Sequence, residues 1–577
     1  MANRLARVAL LFLCFLNSVL AIWPLPVEAS YGSDVLWLSD DFQTICYDKK
    51  PSSLGWNKFQ AVVWPWSAPD LPVEDGVCND ERLKSAVERL REDVTTQSFV
   101  PWKFHPKDAN FEPDPWVQRT YVRKIQFETL RLVVEPVEAY TLTITQEGDV
   151  LIVLNNPLGG IRALATITQL FYRHSDPVAG VYMATAPLAV RDSPMFEHRG
   201  LNLDISRNII SPKQVMRTIG AMAFNKFNRL HLHASDAQSW PLEIPSLPDL
   251  ARKGAYHKSQ IWSVADLRQV QAFAAQRGVD VYIEIDMPGH TASVQEAYPE
   301  LITSFNRKPW PTYSAQPPSG QLKLKDPNVT AFITTLLNDL LPRVSPFSPL
   351  FHLGGDEITA SAYDMSASEV QPYLQSFVDH AISLVQLHGQ IPVVWEEQLV
   401  DYNLTLPQDT LIQAWRGSAP ETPSSLARIV ARGHKALFGA NDYWYLDCGH
   451  GGWVDPDPNN SDSPIKSPFM DYCAPLHNWR EVYSYDPLAD IPDGQKRLVI
   501  GGEASMWAEQ TDEVNLDGNL WPRLAAAGEV LWRGKGTMSE DVTRRLAEMR
   551  EWLVHKRIQA GPVQVTWCLM NAGQCVL

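Results

Sequence analysis

Leu350-Phe-His-Leu-Gly-Gly-Asp-Glu357, a helical pattern over Glu369–His388, and then Ile391-Pro-Val-Val-Trp-Glu-Glu397 form one repeating beat. A short apolar run ends in charged residues, an amphipathic segment follows, and the pattern restarts. Parallel strands covered on both faces read as continuous apolar runs of this kind. Working outward, the beat recurs from Gly200 onward. The strand candidates are Leu201–Ser206, Arg229–Asp236, Val279–Asp286, Leu350–Glu357, Ile391–Glu397, Thr410–Trp415, Lys435–Ala440 and Leu498–Trp507. Helical patterns at Pro212–Phe224, Ser263–Arg277, Thr330–Leu341, Glu369–His388 and Pro423–Arg432 separate several of them. Repeated strand–helix units in this number predict an α/β fold, a (β/α)8 TIM barrel over 195–577 with a C-terminal extension. The polar stretches Thr303–Gln321 and Asp455–Pro468 read as loop insertions. Ahead of the barrel, 30–190 carries alternating strands (Tyr140–Ile144, Val150–Leu154) and a helical run, Arg162–Phe171, which predict a smaller α/β domain.

The composition suits a globular protein with a large core: 577 residues, 45% hydrophobic and 20% charged. With 50 Lys+Arg against 66 Asp+Glu the net charge is −16, which argues against a nucleic-acid partner. Arg4 and Arg7 precede an apolar run from Val8 to Leu20, and small residues follow at Ala21 and Ala29. This is a secretory leader pattern over 1–21, with room for a short propeptide to 29. The run falls short of the roughly 20 apolar residues of a membrane span. A secreted, extracellular protein is therefore expected.

Outside the leader, six cysteines remain, an even set that reads as disulfides in a secreted chain. Nearest-neighbour pairing predicts Cys46–Cys78, Cys448–Cys473 and Cys568–Cys575. Their spacing does not suit zinc. Sequons at Asn328, Asn403 and Asn459 predict glycosylation.

Barrel chemistry gathers where strands end, because the loops there share one mouth. Arg199, Asp204 and Arg207 flank the first strand; His231, His233 and Asp236 close the second; Asp286 and His290 the third; Asp356 and Glu357 the fourth. Trp395 and Glu396 close the fifth, Trp415 the sixth, Tyr445 and Asp447 follow the seventh, and Glu503, Trp507 and Glu509 surround the eighth. After Gly354-Gly355, two adjacent carboxylates can bracket one substrate, the usual equipment for glycoside hydrolysis. One of the pair must hold a proton for the leaving group. The plain alternative is a charged turn after a strand.

His352-Leu-Gly-Gly-Asp-Glu357 resembles the signature of glycoside hydrolase family 20, the β-N-acetylhexosaminidases. The resemblance continues through Arg199-Gly-Leu-Asn-Leu-Asp204, His231-Leu-His-Ala-Ser-Asp236, Asp286-Met-Pro-Gly-His290, Trp395-Glu396, Trp444-Tyr-Leu-Asp447 and Met506-Trp-Ala-Glu509. Arg162–Leu170 resembles the helix of the family's N-terminal domain, with Ala163 at a position where Gly is common. The surroundings of Trp240 and the leader region are most similar to secreted fungal members.

The resemblance implies an exo-acting, retaining hydrolase that removes terminal GlcNAc or GalNAc from chitin oligomers or glycoconjugates. The sugar's own acetamido oxygen attacks the anomeric carbon and an oxazolinium ion forms. It implies Glu357 as general acid and then base, Asp356 on the acetamido nitrogen, and Tyr445 on the acetamido oxygen. Trp395, Trp415 and Trp507 would wall the acetamido group. Arg199, Glu509 and Asp447 would bind hydroxyls, although Arg199 could instead pair structurally with Asp204. Asp286 and His290 would form a chain to Glu357, with Asp236 in support. His231 and His233 are expected to be core or supporting residues rather than metal ligands. No metal or cofactor is required, since acid and nucleophile are already supplied. Members of the family are often dimers, so a homodimer is one expectation. The competing readings are a catalytically silent N-acetylhexosamine-binding protein on the same scaffold and a barrel chitinase cutting inside chains.

Overall fold

The computed structural model describes residues 21–47, 80–129, 137–417, 423–455 and 469–576. Residues 1–20 of the expected leader, Cys78, Asn459 and most of the Asp455–Pro468 insertion lie outside them.

The N-terminal domain is a six-stranded mixed sheet of β1 (Glu28–Tyr47), β2 (Tyr121–Thr129), β3 (Tyr140–Ile144), β4 (Asp149–Leu154), β5 (Tyr172–Arg173) and β6 (Val181–Asp192), in the order β1-β2-β4-β3-β6-β5. The long β1 runs antiparallel to β6 through its first half and parallel to β2 through its second. Two helices, Glu81–Glu92 and Pro157–Gln169, share one apolar core with the sheet. Each starts where a side chain satisfies a free backbone N–H: Asp80 accepts from Arg82, and Asn156 accepts from Leu158 ahead of Pro157.

The barrel strands are β7 (His198–Asp204), β8 (Arg229–His233) and β9 (Asp280–Glu284). A small ribbon follows, β10 (Ile302–Thr303) with β11 (Gln321–Leu322), and then β12 (Leu350–His352), β13 (Ile391–Trp395), β14 (Leu411–Ala414), β15 (Ala436–Phe438) and β16 (Val499–Met506). The eight barrel strands pair in parallel and close with β16 against β7. Each overlaps a run expected to be a strand, and β7 starts ahead of its expected Leu201, at His198. The helix Pro212–Phe224 has the expected bounds, started by Ser211 accepting from Gln214 N. The pattern read as Thr330–Leu341 extends to Pro327–Val344, because Asp326 caps it and Pro327 occupies its first turn.

Ahead of residue 30, β1 already starts at Glu28. Ile22 and Trp23 are fully buried at the seam with the barrel. Trp23 N donates to Gln169 Oε1 at 2.7 Å, and its indole donates to Ala525 O at 2.9 Å. Glu138 also crosses the seam. It accepts from Arg162 Nε at 2.7 Å, from Arg199, and from Asn228 Nδ2 at 2.9 Å. Burial alone would raise its proton affinity, but the two guanidiniums hold its carboxyl well below the usual range. Glu138→Gln leaves two buried arginines without their anion, so about 3–5 kcal/mol of stability should go. Thermal unfolding measures this. The native carboxyl is depressed, so its stabilisation is full above the ordinary glutamate pKa and is lost as pH falls towards the folded value. The difference from wild type should therefore shrink in acid.

Candidate active site

Gly354 and Gly355 turn the chain out of β12 with φ of +68° and +93°. A Cβ on Gly354 would stand 1.9 Å from Asp286 Oδ1, and one on Gly355 would stand 1.7 Å from Gln398 Nε2. Only glycine lets the strand end pass this closely and deliver Asp356 and Glu357 to the mouth. Glu357 and His290 both sit in the left-handed region, at φ +50° and +49°. Such strain costs about 1–3 kcal/mol per residue and gathers at functional sites.

Glu357 Oε2 lies 3.2 Å from His290 Nε2, and His290 Nδ1 lies 3.1 Å from Asp236 Oδ1. Asp236 is also held by Arg207 at 2.8 Å and by His233 Nε2 at 2.9 Å. Burial disfavours charge on both Asp236 and His290. The cations around Asp236 overcome it and keep that carboxyl well below its ordinary range; the carboxylates around His290 raise its imidazole well above.

Asp286 serves the other acid. Its Oδ1 accepts from Gly355 N at 2.8 Å. Burial, then the nearby Asp356, push Asp286 well above a normal carboxyl, which favours its protonated form beside Asp356. Asp356 is itself raised by burial, against the opposing charge of His290 and with the charges of Glu357 and Glu284 adding to the rise. Its Oδ1 is shielded from solvent and has no hydrogen-bond partner, an acceptor aimed at a missing donor.

Asp356 acts electrostatically on Tyr445, which belongs to an aromatic box. Trp395, Tyr445, Trp507 and Trp415 pack together with the Cys448–Cys473 disulfide. Tyr445 stacks on Trp415 with centroids 6.2 Å apart and meets Trp507 at 6.1 Å. Glu284 accepts from the Trp395 indole at 2.7 Å, and Glu397 from that of Trp415 at 2.8 Å. Tyr445 makes a parallel bridge to Ser505 of β16. Burial, with Asp356 and Asp447 adding to it, lifts its phenol well above the ordinary value, so it remains a donor.

At the far side, Arg207 pairs with Asp204 at 3.2 Å and Glu509 at 3.5 Å, and lies over the Trp507 ring. Gln316 bridges the same pair, accepting from Arg207 at 3.1 Å and donating to Glu509 at 2.8 Å. Asp447 receives Trp507 N at 3.4 Å, and burial plus Glu509 raise its proton affinity.

A model of the glycosyl hydrolase family 20 catalytic domain matches residues 196–535, and a "beta-acetyl hexosaminidase like" model matches 22–170. The chain belongs to glycosyl hydrolase family 20. This family-20 chain is 40% identical to a beta-hexosaminidase of Arthroderma benhamiae, over 96% of this chain and 97% of that one. It is 29% identical to a chitooligosaccharidolytic beta-N-acetylglucosaminidase of Ostrinia furnacalis, over 86% of this chain and 83% of the other. Among solved structures, the family-20 exo beta-N-acetylglucosaminidase of Vibrio harveyi with N-acetylglucosamine superposes with TM-score 0.72 at 21% identity, covering 95% of this chain and 79% of that one. That likeness shows the fold. The family-20 chain is thus a glycoside hydrolase, a β-N-acetylhexosaminidase.

The structure corrects two expected placements. Arg199 does not reach the mouth of the family-20 barrel. It lies at the N-terminal end of β7, 1% exposed, and donates to Lys226 O, Phe196 O and Glu138. Nor does it pair with Asp204; Arg207, beyond the C-terminal end of the strand, does both. The carboxylate behind His290 is Asp236, not Asp286, because the end of β8 delivers Asp236 to the imidazole while Asp286 turns towards Gly355. Glu357, Asp356, Tyr445, Trp395, Trp415, Trp507, Asp447 and Glu509 all gather at the one mouth.

Three residues of this mouth escaped the sequence reading: Gln316, Glu397 and Tyr472. Gln316 lies in the Thr303–Gln321 insertion, Glu397 beside the expected Glu396, and Tyr472 next to Cys473, its ring 6.5 Å from Tyr445. The disulfides Cys448–Cys473 and Cys568–Cys575 are formed, and Cys46 is disulfide-bonded. Asn328 and Asn403 are exposed.

Metal-ligating atoms also converge at His231, Glu284 and His352, and at Asp286, His290 and Asp356. Hydrogen bonds already engage most of them: Trp395 and His233 reach Glu284, and Gly354 N reaches His352 Nδ1.

Proposed function

We propose that this site removes a terminal, non-reducing N-acetylhexosamine with retention, using the substrate's acetamido oxygen as nucleophile. Glu357 protonates the glycosidic oxygen as the C–O bond breaks, and the acetamido oxygen bonds to the anomeric carbon. Asp356, ionised, accepts the acetamido N–H and stabilises the positive charge of the oxazolinium ion. Tyr445 donates to the acetamido oxygen and aims it. Water then opens the ring, giving its proton to Glu357, which returns to the acid form.

A tethered, aligned nucleophile is worth roughly 7–11 kcal/mol. The box of Trp395, Trp415 and Trp507 aligns it and excludes water. Arg207, Glu509 and Asp447 bind ring hydroxyls, and their closure around the far side suits exo action. The carrying observation is the buried, unsatisfied Asp356 Oδ1 on the residue next to Glu357, a carboxyl backed by His290 and Asp236. Chitin oligomers and glycan ends both present the required terminal sugar. Secretion fits the leader pattern and the disulfides.

Product analysis on a defined N-acetylglucosamine oligomer tests the reading. Single sugars should leave from the non-reducing end as the β anomer. A chromogenic N-acetyl-β-glucosaminide should be cleaved and the plain β-glucoside left intact; equal rates on both would exclude acetamido assistance.

A further inference from the structure

Beneath the acetamido box, the barrel interior carries a run of carboxylates and imidazoles, of which the reaction above uses only the last two, Asp236 and His290. His198 Nε2 and Tyr282 OH each reach Glu503 Oε1 at 2.6 Å. His231 Nδ1 reaches Glu503 Oε2 at 3.0 Å, and its Nε2 lies 2.9 Å from Glu284 Oε2. That oxygen is 2.5 Å from His233 Nδ1, and His233 Nε2 continues to Asp236 at 2.9 Å. Asp236 then holds His290, which faces Glu357. The run starts at the first residue of β7 and ends at the mouth. Glu284, Glu503 and His231 are fully buried. Branched apolar side chains fill most barrel interiors, and buried ion pairs gain little stability over them. Stability alone gives no reason for two carboxylates on this axis.

We propose that Glu284 is a positioning residue for the proton transfer, acting through His233 on the Asp236–His290 pair behind Glu357. The inference rests on Glu357 as the proton donor. His233 has a carboxylate at each ring nitrogen, so both nitrogens donate and the ring is cationic. Burial opposes that charge, but Glu284 and Asp236 outweigh it and hold the imidazole well above its ordinary value. With His233 and Arg207 both cationic, Asp236 stays ionised and keeps the His290 proton on Nδ1. His290 Nε2 is then fixed as the atom that faces Glu357. The third imidazole beside Glu284, His352, is pushed down to about 3 by burial and remains neutral, accepting from Gly354 N. The charge of Glu284 is therefore directed to His231 and His233.

Glu284→Gln tests this, because glutamine still accepts from the Trp395 indole and the acetamido wall keeps its support. Proton donation matters for a poor leaving group and little for an acidic one. On an N-acetylglucosamine disaccharide, kcat should fall about tenfold or more, with KM within about threefold. On the 2,4-dinitrophenyl glycoside of the same sugar, the single-turnover rate of aglycone release, which needs no proton donor, should stay within about threefold of wild type. Equal losses on both substrates would overturn the inference, since a general packing defect does not read the leaving group. His233→Gln breaks the same run one link closer without touching Trp395, and it carries the comparison if Glu284→Gln does not fold. Glu357→Gln is measured alongside. If Glu357→Gln shows the leaving-group dependence and neither core variant does, the role of Glu284 fails. If Glu357→Gln lacks it too, the assignment of the acid fails instead.

Discussion

Glu357→Gln should lower kcat on an N-acetylglucosamine disaccharide by about 10²–10⁴-fold, with KM changed by no more than a few-fold. Gln keeps the shape of the side chain and can still face His290, so the bound sugar loses few contacts. What it loses is a transferable proton for the glycosidic oxygen and, in the second half of the reaction, a base for water. The loss should shrink on a dinitrophenyl aglycone, whose departure needs no proton, until opening of the oxazolinium ion becomes limiting. A fast release of the aglycone followed by slow turnover would then be visible in a single-turnover trace. Near-normal kcat on the disaccharide would remove Glu357 as the acid.

The barrel was legible because strands such as Ile391–Trp395 and Leu411–Ala414 are short, mainly apolar and buried, so the sequence shows their runs directly. The twin glycines and the two acids after them were legible as well, since a close backbone approach leaves glycine as its trace. The direction of a contact was harder to read. Arg199 lies at the start of β7 and Arg207 follows the strand, and choosing between them requires knowing that only the C-terminal end of the strand reaches the mouth. The end of the strand, rather than the motif, was the decisive signal.

The partner of His290 was hidden for a different reason. Asp236 and Asp286 both follow strands next to one another in the barrel, and the choice depends on how β8 and β9 are staggered. No single-strand pattern carries that information. The polar core did leave a trace: His231-Leu-His233 and Tyr282-Ile-Glu284 alternate at period two, so each pair projects to one face. In a strand otherwise apolar, that alternation was the available sign of a buried network. Gln316 left no such sign, because an irregular Pro-rich loop imposes no periodicity.

Asp356→Asn should reduce kcat by about 10²–10³-fold, the usual cost of removing one preorganised group from a developing charge. The carboxylate is asked to face a cation that exists only once the acetamido oxygen has closed on the anomeric carbon, so the loss belongs to kcat more than to KM. A stable bicyclic mimic of the oxazolinium ion supplies the direct readout. Its affinity should fall with kcat, while the affinity for the free N-acetylhexosamine product should change far less. The pH profile gives an independent sign. Burial and the charges of Glu357 and Glu284 raise Asp356 above a normal aspartate, and the charge of His290 offsets this in part. Activity requires the ionised form, so the acid limb of kcat/KM should lie above the ordinary aspartate range, with activity lost as pH falls through it. In Asp356→Asn that limb should disappear or move, since the group that titrates is gone. If the variant kept both its affinity for the mimic and an unshifted acid limb, Asp356 would have no part in stabilising the cyclised sugar.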